Sequence, residues 1–199
     1  MESSNLRPIF SDLIDRKAKE KLLQQKSLSI WFIGLSGSGK STLAFSLENY
    51  LFNNGFKTVI LDGDNVRTGL NKDLGFTLND RTENIRRIAE INKILLDNGL
   101  IVINSFVCPT ESLRKLILEI LGIENVYLVF VKASLETCVK RDVKGFYKKA
   151  LNNEIKNFTG ISDIFEEPSY YNLVLDTENL SREESLSKLI SEIYPKLKL

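Results

Sequence analysis

Ser29-Ile30-Trp31-Phe32-Ile33-Gly34-Leu35-Ser36-Gly37-Ser38-Gly39-Lys40-Ser41-Thr42 is the stretch that decides the fold. Its first five residues are a short apolar run suited to a buried strand. The remaining nine fit G-x-x-x-x-G-K-[ST], the P-loop pattern. Just beyond, Leu43, Ala44, Leu47, Tyr50 and Leu51 recur at helical spacing. Strand, glycine loop and helix thus follow in the order the pattern requires. The loop from Gly34 through Leu35, Ser36, Gly37, Ser38 and Gly39 to Lys40, Ser41 and Thr42 is a candidate cradle for a nucleoside triphosphate. Its glycines let main-chain N–H groups close around phosphate oxygens. Lys40 can reach the β- and γ-phosphates and the Ser41 hydroxyl can ligate Mg²⁺. The positive N-terminal end of the next helix adds to the attraction. A glycine-rich turn that only joins strand to helix needs neither Lys40 nor Ser41.

Working outward, other apolar runs alternate with helical patterns. Strands are expected at 57–61, 100–103, 126–131 and 173–175. Helices are expected at 80–98, 110–121 and 134–141, with a last one marked by Leu186, Leu189, Ile190 and Ile193. This alternation predicts an α/β fold: a mostly parallel five-stranded sheet with helices on both faces, in three layers. Ligands of such folds collect beyond the carboxyl ends of the strands, which places the P-loop, Asp62, Asp64 and the segments 104–109 and 132–149 around one crevice. Residues 1–27 are polar, with a stripe of Leu13, Ile14, Leu22 and Leu23, and read as an N-terminal helical extension docked on the domain or on a partner subunit. Residues 28–199 read as one domain. Residues 150–168 show no clear periodicity.

Composition narrows the chemistry. The chain has 199 residues, 43% hydrophobic, with a formal charge of +1, so no global field calls for nucleic acid or an anionic membrane. With no histidine, imidazole acid–base chemistry and His metal sites are excluded. Cys108 and Cys138 are far apart in sequence and form no C-x-x-C, as expected of reduced thiols in a cytoplasmic protein. No signal peptide or membrane-length apolar run is visible.

Asp62-Gly63-Asp64-Asn65 closes the second strand facing the P-loop. Phosphoryl transfer needs Mg²⁺ held in place and an acceptor hydroxyl in line. Asp64 suits the hydroxyl; Asp62 suits the metal or a water on it. The same residue types also favour a plain turn with side-chain caps. Downstream lie many cations, among them Arg67, Arg81, Arg86, Arg87, Arg114, Lys140, Arg141, Lys144, Lys148 and Lys149. The cluster at 140–149, with Gly145 inside it, suits a lid over phosphates that excludes water.

Taken with the P-loop, further segments carry a family resemblance over residues 27–195. They are Leu61-Asp62-Gly63-Asp64-Asn65-Val66-Arg67, Gly69-Leu70-Asn71-Lys72-Asp73-Leu74-Gly75-Phe76 and Asp80-Arg81-Thr82-Glu83-Asn84-Ile85-Arg86-Arg87. Cys138 to Ala150 and Ile155-Lys156-Asn157-Phe158-Thr159-Gly160-Ile161 complete the set. In this order they resemble the adenylyl-sulfate kinase (APS kinase) family of P-loop enzymes. The resemblance implies ATP- and Mg²⁺-dependent transfer of the γ-phosphate to the 3′-hydroxyl of adenosine 5′-phosphosulfate. It puts Asp64 near that hydroxyl and has Arg67, Arg81 and Asn84 grip the acceptor and its phosphosulfate. Phe76 and Phe158 would sandwich the acceptor's adenine, with Val107 and Cys108 beside it. Lys40, Asp62 and Lys144 would serve the transfer, Arg141 the ATP, Ser41 the metal, and Lys144 with its neighbours the mobile lid. The family is commonly dimeric, which implies a homodimer.

The segment after the third strand departs from the family's pattern. Cys108 stands where many members carry a serine linked to a phosphorylated form, so a stable phosphoserine cannot form there. Glu111 stands where an arginine is usual, with Arg114 nearby to compensate, and Asn157 where glycine is common. Glu111 keeps open a related 3′-nucleotide kinase with another acceptor, such as a cytidine diphosphate derivative. A non-catalytic nucleotide switch is a further alternative, although the guanine motif Asn-Lys-x-Asp fails at Leu74.

Overall fold

The computed structural model describes Arg7, Ile9 and residues 12–199. Five strands, β1 (Ser29–Ile33), β2 (Thr58–Asp62), β3 (Ile101–Ser105), β4 (Val126–Lys132) and β5 (Leu173–Asp176), form one sheet in the order β2-β3-β1-β4-β5. All four pairings are parallel, so the sheet is wholly parallel rather than mostly so. Parallel strands need crossovers, and both faces are accordingly covered.

Successive side chains serve opposite faces. Ile30 and Phe32 of β1 join Val129 and Val131 of β4 in a core that takes Leu43 and Leu47 from α2 (Lys40–Asn53) and Leu189 and Ile193 from α8 (Arg182–Leu197). Trp31 and Ile33 join Leu128 and Phe130 in the opposite core, against Ile85 and Ile88 of α4 (Leu78–Asp97) and Leu113 and Ile117 of α5 (Glu111–Leu121). The polar side chains around Trp31 in this core are paired. The Trp31 indole donates to Ser29 Oγ (2.7 Å), which donates to Asn92 Oδ1 (2.6 Å), and the Asn92 amide donates to Asn104 Oδ1 (2.9 Å). That network explains an asparagine on the apolar face of α4 and another inside a buried strand.

The helices start at chemical signals. Thr77 and Asp80 form a capping box on α4, and Ser181 and Glu184 another on α8. Gly99, after the α4 C-terminus, has φ +78°, and a Cβ there would lie 3.1–3.2 Å from Leu23 and the backbone of α1 (Arg16–Leu23). Only glycine lets the two elements approach so closely.

The N-terminal stripe reads differently in three dimensions. Leu13 and Ile14 precede α1, and both are exposed, as is Leu22. The segment is held by polar contacts instead: Arg16 to Asn125 (2.6 Å) and to the Ser27 carbonyl (2.8 Å), and Gln25 to the carbonyls of Lys57 and Gly99. Of the stripe, only Leu23 is half-buried, beside Gly99; the described residues do not cover the other three. Two short helices were not apparent in the periodicity: α3 (Gly63–Thr68), and α7 (Phe146–Leu151), which follows α6 (Leu135–Arg141).

Candidate active site

A cavity of about 500 Å³ opens beyond the carboxyl ends of β1, β2 and β3. Ser36, Gly37, Gly39, Lys40, Ser41 and Thr42 of the P-loop line it. So do Asp62, Asp64, Arg67, Phe76, Arg81, Asn84, Val107, Cys108, Lys144 and Phe158. Gly34, Leu35, Ser38 and Arg141, also expected at the site, stand behind this lining.

The P-loop is held from behind. Gly34 has φ +145°, and a Cβ there would come within 2.4 Å of the Val131 carbonyl oxygen, so glycine is obligatory. Its N–H donates to Val107 O (3.3 Å). The Ser36 carbonyl accepts from the Tyr147 hydroxyl (2.9 Å) and the Ser38 carbonyl from Thr177 Oγ1 (2.9 Å). Arg141 donates to the Thr177 carbonyl (2.6 Å) and Oγ1 (3.0 Å) and more weakly to Gly37 O (3.4 Å). In a trans peptide the C=O and the following N–H point in opposite directions. Fixing the carbonyls of Ser36 and Ser38 therefore fixes the N–H groups of Gly37 and Gly39, both cavity residues. Such an array of oriented amides suits an anion.

Lys40 is buried at the head of α2 and donates to the Leu35 carbonyl (2.7 Å). Burial pulls its ammonium down to about 8, against a smaller opposing effect of Asp62 and the two thiols. An incoming phosphate would favour the charged form. Next to it, Ser41 Oγ donates to Asp62 Oδ2 (2.8 Å) and lies 3.1 Å from Ser105 Oγ. Asp62 is both a site residue and a cap: its Oδ1 accepts from the Asp64 N–H (3.1 Å) as the N-cap of α3. The turn-capping reading thus holds for a carboxylate that also lines the cavity. Helix α3 then presents Asp64 in its first turn and Arg67 in its last. Asp64 pairs with Lys144, from the loop before α7.

Elsewhere in the lining, Arg67 lies over the Phe76 ring at 4.5 Å from its centroid, and Arg81 at 5.8 Å. Arg67 also holds the carbonyls of Leu74 (3.0 Å) and Gly75 (2.7 Å), and Arg81 those of Phe76 (3.0 Å) and Asn157. Asn157, at φ +56°, takes the left-handed conformation that favours glycine. Phe158 packs edge-on against Tyr147, with centroids 5.0 Å apart.

Several cations fall elsewhere. Arg86 and Arg87 pair with Glu83, and Arg87 also with Asp73. Arg114 does not compensate for Glu111 inside the cavity, because neither lines it. Arg114 is buried and donates to Cys108 O (2.7 Å), Glu111 Oε1 (3.0 Å) and Glu166 O (3.0 Å). Glu111 accepts from the Ser169 N–H (2.6 Å). The pair braces the loop that carries Cys108, whose φ is +42° and whose thiol burial pushes up to about 12. Ser105, Tyr147 and Thr177 are among the residues that shape the site and that the sequence does not single out. Ser105 ends β3 and Thr177 directly follows β5, and a polar residue closing an apolar strand at the ligand edge was the available signal. Tyr147 sits in the six-residue α7, too short for a period to show.

Residues 26–176 match the family model described as Adenylylsulphate kinase. The chain belongs to this family. An adenylyl-sulfate kinase of Bacteroides thetaiotaomicron is 50% identical over 196 residues, spanning 98% of each chain. One of Thermodesulfovibrio yellowstonii is 44% identical over 198 residues, 100% of this chain and 99% of the relative. Among solved structures, the Mycobacterium tuberculosis APS kinase CysC in complex with AMPPNP and APS superposes with a TM-score of 0.81 at 38% identity, covering 85% of this chain and 98% of that one. Membership of the adenylyl-sulfate kinase family thus agrees with the all-parallel sheet, the P-loop and the acidic pair facing it.

Proposed function

We propose that this chain transfers the γ-phosphate of ATP to the 3′-hydroxyl of adenosine 5′-phosphosulfate, giving 3′-phosphoadenosine 5′-phosphosulfate and ADP. The observation that carries the reading is a single cavity lined by the P-loop, by Asp64 and by the Phe76–Arg67–Arg81 cluster. Family membership supports the choice of acceptor.

In this reading the amides of Gly37 and Gly39 and the Lys40 ammonium hold the donor phosphates, while Arg141 and Thr177 keep the loop in shape. Phe76 and Phe158 stack on the acceptor base, and Arg67, Arg81 and Asn84 hold its anionic tail. Asp64 aligns the 3′-hydroxyl and accepts its proton as the oxygen bonds to phosphorus and the β–γ bridge breaks toward ADP. Oxygens of Ser41, Asp62 and Ser105 converge within hydrogen-bond distance, a hard donor set that fits Mg²⁺. Bound there with the nucleotide, the ion would neutralise charge on the phosphates. Lys144 and its neighbours in the cluster 140–149 act as a lid, Lys144 changing partners from Asp64 to phosphate. Residues 28–199 form the catalytic unit and 1–27 an extension. The exposed Leu13, Ile14 and Leu22 give that extension an apolar surface for a homodimer, and two buried free thiols accord with the cytoplasm. Among the described residues no helix is long and apolar enough to cross a membrane.

The test is an acceptor panel under Mg-ATP: adenosine 5′-phosphosulfate, adenosine 5′-phosphate and cytidine diphosphate derivatives. Selective 3′-phosphorylation of the sulfonucleotide is expected. Preference for a cytidine acceptor, or no transfer to any, would overturn the reading.

A further inference from the structure

Asn71 is fully buried in the loop between α3 and α4 but does not line the cavity. Its main chain is satisfied: its N–H donates to Val66 O (2.9 Å) and its carbonyl accepts from Leu74 N–H (3.1 Å). Its side chain is not. Nδ2 donates to Asn84 Oδ1 (3.0 Å), whereas its own Oδ1 is buried without a hydrogen-bond partner. A lone buried acceptor destabilises a fold, and an aliphatic side chain of similar size would avoid the cost. The one thing this amide does is occupy the oxygen of a cavity residue.

That occupation has a chemical consequence. An asparagine amide offers an acceptor oxygen at one end and two donors at the other. With Oδ1 committed to Asn71, Asn84 has its NH₂ left for the cavity it lines, one helical turn beyond Arg81 on the same side of α4. The reverse orientation would aim lone pairs at an anion. We propose that Asn71 is a positioning residue that locks the Asn84 amide with its donors toward the anionic tail of the acceptor. The inference rests on the proposed function, since it takes the group that Asn84 meets in the cavity to be a phosphosulfate.

Two substitutions separate this role from packing. Asn71→Leu removes the donor that fixes Asn84. Asn71→Asp inverts it, because a carboxylate accepts from the Asn84 NH₂ and turns its oxygen to the cavity. From the cost of a lost or misdirected hydrogen bond, KM for adenosine 5′-phosphosulfate should rise roughly 3- to 10-fold in the first and more in the second, with kcat and KM for ATP within about 2-fold of wild type. In an Asn84→Ala background the Asn71→Leu substitution should change KM no further. If Asn71→Asp fails to fold, Asn71→Leu and its double-mutant cycle decide alone. A KM rise that persists undiminished in the Asn84→Ala background, or an equal loss in the ATP parameters, overturns the inference. Wild-type turnover is the control: its absence removes the proposed function and this inference together, whereas turnover with an uncoupled Asn71 removes only the inference.

Discussion

Lys144 reaches across the cavity to Asp64, so the carboxylate that faces the P-loop is paired with a cation from the segment before α7. Both side chains are at least half exposed, and such pairs contribute little to stability. The pair is therefore easily exchanged for other partners, as the proposed roles of Asp64 toward a hydroxyl and Lys144 toward a phosphate require. Asp64→Asn keeps the size and the polar contacts but removes the base. It should leave ATP affinity within about 2-fold and lower kcat by about 10²–10⁴, the usual range for a lost general base. Calorimetry with a nucleotide analogue and single-turnover kinetics check the two halves. Unchanged kcat would take Asp64 out of the chemistry.

Lys40 carries a pH signature. Its ordinary value of 10.5 falls to about 8 in the fold through burial. Between these values the unfolded chain holds more protons than the folded one, so stability rises with pH across that window. Below pH 8 the cost of the buried cation is fully present, at most about 3 kcal/mol. Lys40→Met should raise the unfolding free energy at pH 7 by about 1–3 kcal/mol while abolishing most turnover. Its advantage should shrink by pH 10. Urea denaturation at the two pH values tests the sign: an advantage that grew with pH would contradict it.

Tyr147 links the P-loop to Phe158. Its hydroxyl holds the Ser36 carbonyl and its ring packs on Phe158. Tyr147→Phe keeps the ring and releases the carbonyl, at a cost of about 1–2 kcal/mol in stability. KM for ATP should rise several-fold more than KM for the acceptor. Steady-state kinetics with each substrate varied in turn would show the reverse if Tyr147 serves the acceptor alone.

Phe76 and Phe158 should separate binding from stability. Phe76 is 54% exposed, its ring covered by two arginines, whereas Phe158 is packed within a small cluster with Tyr147 and Leu35. Both alanine variants should weaken the acceptor by about 1–3 kcal/mol if each ring stacks on the base. Only Phe158→Ala should also lower the melting temperature appreciably. Equal melting losses would contradict the difference in packing.

The central strands β1 and β4 were legible because burial on both faces makes a parallel strand a continuous apolar run, and β1 matches its expected bounds to the residue. The P-loop was legible because phosphate binding restricts residue type at fixed spacing, and the cavity it lines also takes in Asp62 and Asp64. What escaped was set by contacts between distant segments. Thr177 meets Ser38 across 139 positions and Tyr147 meets Ser36 across 111, and neither pairing leaves a local pattern. Arg114 shows the opposite error: a cation near the site in sequence was read as facing it, but its guanidinium turns to the Cys108 and Glu166 carbonyls. Charge alone does not say which way a side chain points.

Phosphorus-31 NMR of the protein with ATP, Mg²⁺ and adenosine 5′-phosphosulfate tests the central claim most directly. One new phosphomonoester on the 3′-oxygen of the acceptor, growing in step with ADP, is the result expected of Asp64 facing the P-loop. ADP accompanied only by free inorganic phosphate, or a phosphate on any other oxygen, would contradict it.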